Sequence, residues 1–123
     1  MPYNIEVKER EGYILVDQSG EVSVTEVDEI RTRVFELVGI HRLLKVLVDV
    51  RKITNELSVT ESFNVTVDHV KFKTSFPKPR ACLIVRPDQY EAAKFIQTVG
   101  ENRGLPIKTF TDLDAGLRWL FAK

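Results

Sequence analysis

Cysteine is almost missing from this chain, and charge of either sign is not in excess. A single cysteine in 123 residues excludes a disulfide framework within the chain and any zinc site built on paired thiolates. Cys82 stands in the apolar run Ala81-Cys-Leu-Ile-Val85, where an unpaired thiol behaves as a small buried hydrophobe. Lysine plus arginine and aspartate plus glutamate number 18 each, so no overall field draws the protein to nucleic acid or to an anionic membrane. No apolar run approaches the ~20 residues of a membrane-spanning helix. The opening Met1-Pro-Tyr-Asn-Ile-Glu lacks the basic-then-apolar layout of a secretory signal, so a cytoplasmic location is expected. The sequon Asn64-Val-Thr66 then has no secretory route by which to be glycosylated.

Catalytic constellations are missing as well. No Gly-x-Ser-x-Gly turn presents a nucleophile, and no glycine-rich loop cradles a phosphate. His41 and His69 occupy positions that the sequence does not bring together, and neither stands at metal-ligand spacing from a cysteine or another histidine. The expectation is a protein that is not an enzyme, with no catalytic residue, no cofactor and no metal site.

What is present is a regular alternation of strand and helix patterns. At this length one domain, residues 1–123, buries roughly two-thirds of the surface of its unfolded chain. Tyr3 to Lys8 and Tyr13 to Gln18 are β-prone runs around Glu9-Arg-Glu-Gly12, which predicts an antiparallel hairpin. Ser23 with Glu26 forms a capping box for a helix whose stripe is Val24, Val27, Ile30, Val34, Leu37 and Val38, with Gly39 at its C-terminal end. Leu43 to Val50 is a nearly continuous apolar run, as in a central strand covered by helices.

The segment from Val59 to Lys73 fits two periods. Phe63, Val65 and Val67 alternate with Asn64 and Thr66 as a strand does, while Ser58 with Glu61 caps a helix carrying Val59, Phe63, Val67 and Val70. A helix is predicted, because a helical crossover is the usual route to a parallel neighbour strand, here Arg80 to Arg86. Asp88 with Glu91 then opens a helix to about Asn102 that turns Tyr90, Ala93, Ile96 and Val99 inward and ends at Gly104. Leu105 to Phe110 reads as a strand. From Thr111-Asp-Leu-Asp114 a closing helix places Leu113, Leu117, Trp119, Leu120 and Phe121 mostly on one side. The predicted class is α/β, a mixed and mainly parallel β-sheet flanked by helices in the order ββαβαβαβα.

Three pieces carry a family resemblance: Leu44-Lys-Val-Leu-Val-Asp49-Val-Arg, Lys78-Pro-Arg-Ala-Cys-Leu-Ile-Val85, and Ile107-Lys-Thr-Phe110-Thr-Asp112-Leu-Asp114-Ala115-Gly-Leu117-Arg-Trp119-Leu120. Together they resemble the SpoIIAA-like group of STAS domains, the fold of bacterial anti-sigma-factor antagonists. The resemblance implies a non-enzymatic regulatory or protein-interaction module with a protein partner. In the phosphorylated antagonists, the helix after the central strand starts at an aspartate followed by two serines and a glycine. Here that place reads Leu57-Ser58-Val59-Thr60, so Ser58 alone matches, as a phospho-acceptor or simply as a helix N-cap.

Parallel sheets bind ligands beyond the carboxyl ends of their strands. That rim comprises Asp49, Arg51, Lys52, Thr54, Asn55 and Ser58, then Arg86 and Asp88, then Thr111 and Asp112. It is the expected place for a partner, or for a small anionic or lipid-like ligand in the alternative reading of a carrier or sensor housed there or between helices and sheet. Lys71-Phe-Lys-Thr-Ser-Phe-Pro-Lys78-Pro-Arg80 admits three readings. Interleaved cations and rings bind single-stranded nucleic acid, lysines complement a helix C-terminus, and exposed Phe72 and Phe76 would form a homodimer face. The neutral total charge argues against the first.

Overall fold

Ile5 and Val7 alternate with Asn4, Glu6 and Lys8 as a strand with one covered face requires, and β1 (Tyr3–Lys8) pairs antiparallel with β2 (Tyr13–Gly20). Gly12 closes the turn with φ 88°, donating its N–H to the Lys8 carbonyl at 2.7 Å, a left-handed backbone that glycine adopts at no steric cost. The computed structural model describes residues 3–122. Met1, Pro2 and Lys123, and with them the first residues of the segment weighed above as a signal, lie outside the described residues.

Along the chain follow α1 (Val24–His41), β3 (Lys45–Ile53), α2 (Val59–Lys71), β4 (Arg80–Ile84), a single 3-10 turn at Pro87–Gln89, α3 (Tyr90–Glu101), β5 (Ile107–Phe110) and α4 (Leu113–Leu120). This is the α/β order expected from the sequence, and Val59–Lys71 is a helix. The five-stranded sheet has the order β1-β2-β3-β4-β5, parallel from β2 onward. Because the strands follow one another in chain order, three crossovers of one hand put α1, α2 and α3 on the same face. The terminal helix α4 is not a crossover, and it covers the other face.

The two faces are packed differently. Under α4, Leu47, Cys82, Ile84 and Leu120 are all 0% exposed. Gly116 makes this possible, since a Cβ there would stand 2.6 Å from Ile84 Cδ1 and 2.7 Å from Cys82 Sγ. Burial pushes the Cys82 thiol up to about 12, so it stays protonated and unreactive. Arg80 reaches from β4 to the end of α4, donating from Nη1 to the carbonyls of Trp119 at 2.8 Å and Ala122 at 2.7 Å. A cation there satisfies carbonyls that the helix leaves open. On the opposite face, α1 packs Ile30, Val34, Leu37 and Val38 against Ile14, Val16 and Val46.

Several local expectations are corrected. α1 runs through Gly39 to His41, and Arg42 terminates it at φ 56° with its N–H on the Val38 carbonyl at 2.8 Å. Ser23 accepts from the Glu26 N–H, but Glu26 is buried and its Oε1 lacks a hydrogen-bond partner among the described residues, so only half of that box forms. Tyr90 is exposed, a 3-10 turn precedes α3, and Gln97 is buried in its place, accepting the Thr109 N–H at 2.9 Å. Leu113 and Phe121 also lie exposed; the Phe121 ring meets Tyr13 edge-on with centroids 6.0 Å apart. Phe72 and Phe76 do not form an exposed face, because both rings are half-buried against Phe35, at centroid distances of 4.8 and 6.2 Å. Lys78 donates to the Phe72 carbonyl and sits 5.7 Å above the Phe35 ring, as expected of a cation at a helix C-terminus.

Candidate functional site

At the carboxyl ends of the strands, the charged rim is laced to itself. Asp49 accepts from Arg51 Nε at 3.0 Å and Nη2 at 2.8 Å, and from the Arg51 backbone N–H at 3.0 Å. Burial works against the charged form of Asp49, but the Arg51 hydrogen bonds outweigh it and hold the carboxyl below its ordinary range. Lys52 lies 3.5 Å from Asp17. Arg86 forks onto Asp88 and donates to the carbonyls of Arg51 and Ile53. Thr54 is exposed, with its backbone N–H on the Gly20 carbonyl at 2.9 Å, and Asn55 exchanges two hydrogen bonds with the backbone of Val22. Asp112 caps α4, accepting the Ala115 N–H at 3.1 Å, and Thr111 is exposed beside it.

Ser58 is the exposed N-cap of α2, and its capping box is complete. Its hydroxyl accepts the Glu61 N–H at 3.1 Å, and its own N–H donates to the Glu61 carboxylate at 2.9 Å. Ser58→Ala is expected to lower stability by about 0.5–2 kcal/mol in urea unfolding.

A second place opens beneath the rim. Between α1, α2, α3 and the sheet lies a cavity of about 280 Å³, reaching from Ile53, Asn55 and Leu57 at the rim down to Pro79 and Leu105. Its floor is Val48, Val50, Ala81 and Leu83 of β3 and β4, residues that are only half-buried although α2 and α3 pass above them. The cause lies in α2. The side it turns inward carries Ser62, Val65, Thr66 and the half-buried His69, while Val59 and Phe63 are 71% and 38% exposed. Of the apolar stripe, Val59 and Phe63 thus look outward while Val67 and Val70 are half-buried, and the short side chains on the sheet side leave the space unfilled.

His69 stands in the wall of this chamber, its ring 5.2 Å from that of Phe35. Burial, followed by the neighbouring charges of Arg31 and Lys78, lowers its pKa from 6.5 to about 4. The folded state therefore resists the proton that the unfolded chain takes up below about 6.5. Stability is full above that pH and falls as the pH drops toward 4, by about 2 kcal/mol between pH 7 and pH 5. Urea unfolding at the two pH values should show this loss, and His69→Phe should remove it. His41 is remote, with Nδ1 2.5 Å from Glu9 Oε1 at the hairpin turn. Among the described residues no cluster of histidine, cysteine, aspartate or glutamate is arranged to hold a metal ion.

Sequence reasoning missed Gln18, Arg31 and Gln89. All three line the chamber, and Gln89 ties its top by accepting the Arg86 N–H at 2.7 Å and donating to the Val50 carbonyl at 2.8 Å. Period was the available signal for two of them, since alternation puts Gln18 on the face of Ile14 and Val16, and helical spacing puts Arg31 beside Val27 and Val34.

With this architecture in place, comparison with known proteins is informative at the level of fold. No protein-family model matches the chain, and no curated protein matches its sequence. Among solved structures, it is similar to an uncharacterized protein of the DUF3478 family with a SpoIIAA-like fold from Shewanella loihica PV-4, at a TM-score of 0.58 and 17% identity over 96% of this chain and 91% of that one. It is similar also to an anti-sigma factor antagonist from Mycobacterium paratuberculosis, at a TM-score of 0.60 and 14% identity over 96% and 92% of the two chains. The protein is an α/β domain with the SpoIIAA-like fold. No helix among the described residues is long and apolar enough to cross a membrane.

Proposed function

We propose that this protein is a non-catalytic regulatory module that holds a small apolar molecule in the chamber between α1, α2, α3 and the sheet. One observation carries the reading: Val48, Val50, Ala81 and Leu83, on the two strands beneath α2 and α3, are only half-buried around a cavity of about 280 Å³. Central strands are ordinarily sealed on both faces, and the α4 face of the same strands is sealed. Small-molecule sites run from roughly 300 Å³ upward and are mostly apolar with a few placed polar groups. The chamber has that character at the small end of the range. Seating the ligand here, below the rim, agrees with the internal pairing of the rim cations.

Likeness to an anti-sigma factor antagonist supports a protein partner for the module. On this reading Asp49, Arg51, Lys52, Thr54, Ser58 and Arg86 form the partner-facing rim. Ser58 is then a modification site one residue from the chamber-lining Leu57, where a phosphate would meet the amide donors of the α2 N-terminus.

Native mass spectrometry of freshly purified protein, followed by titration with toluene, tests the proposal. A retained small-molecule mass, or toluene uptake that saturates at one site, supports it. Protein that carries nothing and takes up no toluene overturns it. Ser58→Ala should leave toluene uptake unchanged, since the hydroxyl does not line the chamber.

A further inference from the structure

We infer that two copies of this chain associate through the free edge of β1, strand against strand, and extend the sheet across a two-fold axis. The sheet has two edges, and only one of them is closed. At β5 the carbonyls of Pro106 and Phe110 accept from Ala81 and Val85 on the β4 side, so Ile107 and Thr109 turn their backbone groups outward. Both outward N–H groups are taken within the chain, that of Thr109 by Gln97 Oε1 at 2.9 Å and that of Ile107 by the Leu105 carbonyl at 3.0 Å. At β1 every second residue also turns its N–H and carbonyl away from β2, and among the described residues nothing beyond the hairpin bonds to them. An edge of that kind is a template for another strand. The apolar layer is open at the same place: Ile14 and Val16 of β2 are 0% exposed, whereas Tyr3, Ile5 and Val7 of β1 pack on that cluster and stay only half-buried.

The strand that fits this edge is β1 itself. A two-fold axis perpendicular to the sheet sets the two strands antiparallel and keeps each side chain on its own face. With the axis at Ile5, that residue meets its own counterpart, Tyr3 of each copy meets Val7 of the other, and Asn4 meets Glu6. The three apolar residues then come together on the α1 face, while the exposed Asn4 and Glu6 are matched on the other face as amide donor and carboxylate acceptor. Moving the axis to Glu6 would set two carboxylates directly opposite each other, and moving it to Asn4 would leave Val7 without a partner in the strand. Because the β5 edge is closed, association stops at two copies and does not run on as a filament. Phe72 and Phe76, packed against Phe35, take no part.

Sedimentation velocity of the intact chain over a range of concentrations tests this, with thermal melting to establish that each variant folds. The parent should pass from monomer to dimer as its concentration rises. Ile5→Lys, which brings two ammonium groups together on the axis, should hold the protein as a monomer over the same range. Asn4→Lys, opposite Glu6 of the second copy, should tighten the dimer about threefold to tenfold, and adding Glu6→Lys should reverse that gain and leave the dimer weaker than the parent. Asn4 faces Asp17 within the hairpin, so a lysine there suits the fold as well. Positions 4 and 6 are exposed, and the charge changes there decide the question should Ile5→Lys fail to fold. A parent that is monomeric at every concentration or grows beyond two copies overturns the inference. So does a dimer that persists in folded Ile5→Lys or is indifferent to the charges at positions 4 and 6.

Discussion

Gly116→Val is expected to lower the midpoint of thermal unfolding by roughly 10 °C or more, against about 3 kcal/mol or more of lost stability. The expectation follows from how closely α4 approaches the sheet. A Cβ at position 116 meets Ile84 Cδ1 at 2.6 Å and Cys82 Sγ at 2.7 Å, and both of those side chains are 0% exposed. Neither can swing into solvent, so the added methyls must push α4 away from β4 or drive Ile84 out of its rotamer. In a helix interior, replacing glycine by alanine ordinarily gains about 1 kcal/mol, and that gain offsets only part of the clash. Gly116→Ala should therefore still destabilise, by about 1–2 kcal/mol. Gly39→Ala is the control, because a Cβ there meets only Phe76 Cε1 at an ordinary 3.4 Å. It should raise stability by about 0.5–1 kcal/mol. Calorimetric melting of the three variants checks the set, and a Gly116→Ala protein melting above the parent would refute close packing as the role of this glycine.

The contrast between Gly116 and Gly39 shows what was legible in the chain and what was not. Both glycines stand inside helical patterns, and sequence alone marked Gly39 as a helix end because glycine tolerates the left-handed backbone. In the fold it is Arg42 that takes that conformation, three residues after the glycine that was expected to end the helix. Nothing in the local pattern tells a glycine that ends a helix from one that lets a helix approach a sheet, since the deciding atoms belong to strands some thirty residues away. The order of elements was readable from period everywhere except Val59 to Lys73, where two periods fit and the need for a helical crossover decided. The closing strand and helix, the central run and the crossovers each bury enough apolar surface to fix their type.

Helix faces were less legible for a physical reason. α2 carries two candidate stripes, one of Val59, Phe63, Val67 and Val70 and the other of Ser62, Val65, Thr66 and His69. Hydrophobicity favours the first, but the second faces the sheet. The capping box at Ser58 fixes where α2 starts, and the apolar stripe alone does not decide which side of it meets the sheet. The rim loops are what the sequence located, since chain topology dictates which loops gather there. A place between helices and sheet was among the readings, but the chamber itself could not be read, because it arises from what α2 does not bring to the sheet.

That origin makes the chamber removable. Leu83→Trp combined with Val65→Phe is expected to weaken toluene binding by about a hundredfold or more, while melting stays at or above the parent temperature. Both residues line the cavity, Leu83 on its floor and Val65 on the overlying helix, so enlarging them places protein atoms where a ligand would sit. A ligand that buries about 150 Å² of apolar surface gains roughly 4 kcal/mol from it, and losing about 3 kcal/mol of that gain is a hundredfold in affinity. Filling unused space differs from overpacking a sealed core, so stability should not fall as it does at Gly116. Apolar binding could also reside on the outer face of α2, where Val59 and Phe63 are exposed. The pair Val59→Ser and Phe63→Ser separates the two locations: uptake that survives the filled chamber but is lost with these outer residues would place the ligand on the surface and end the case for an internal receptor.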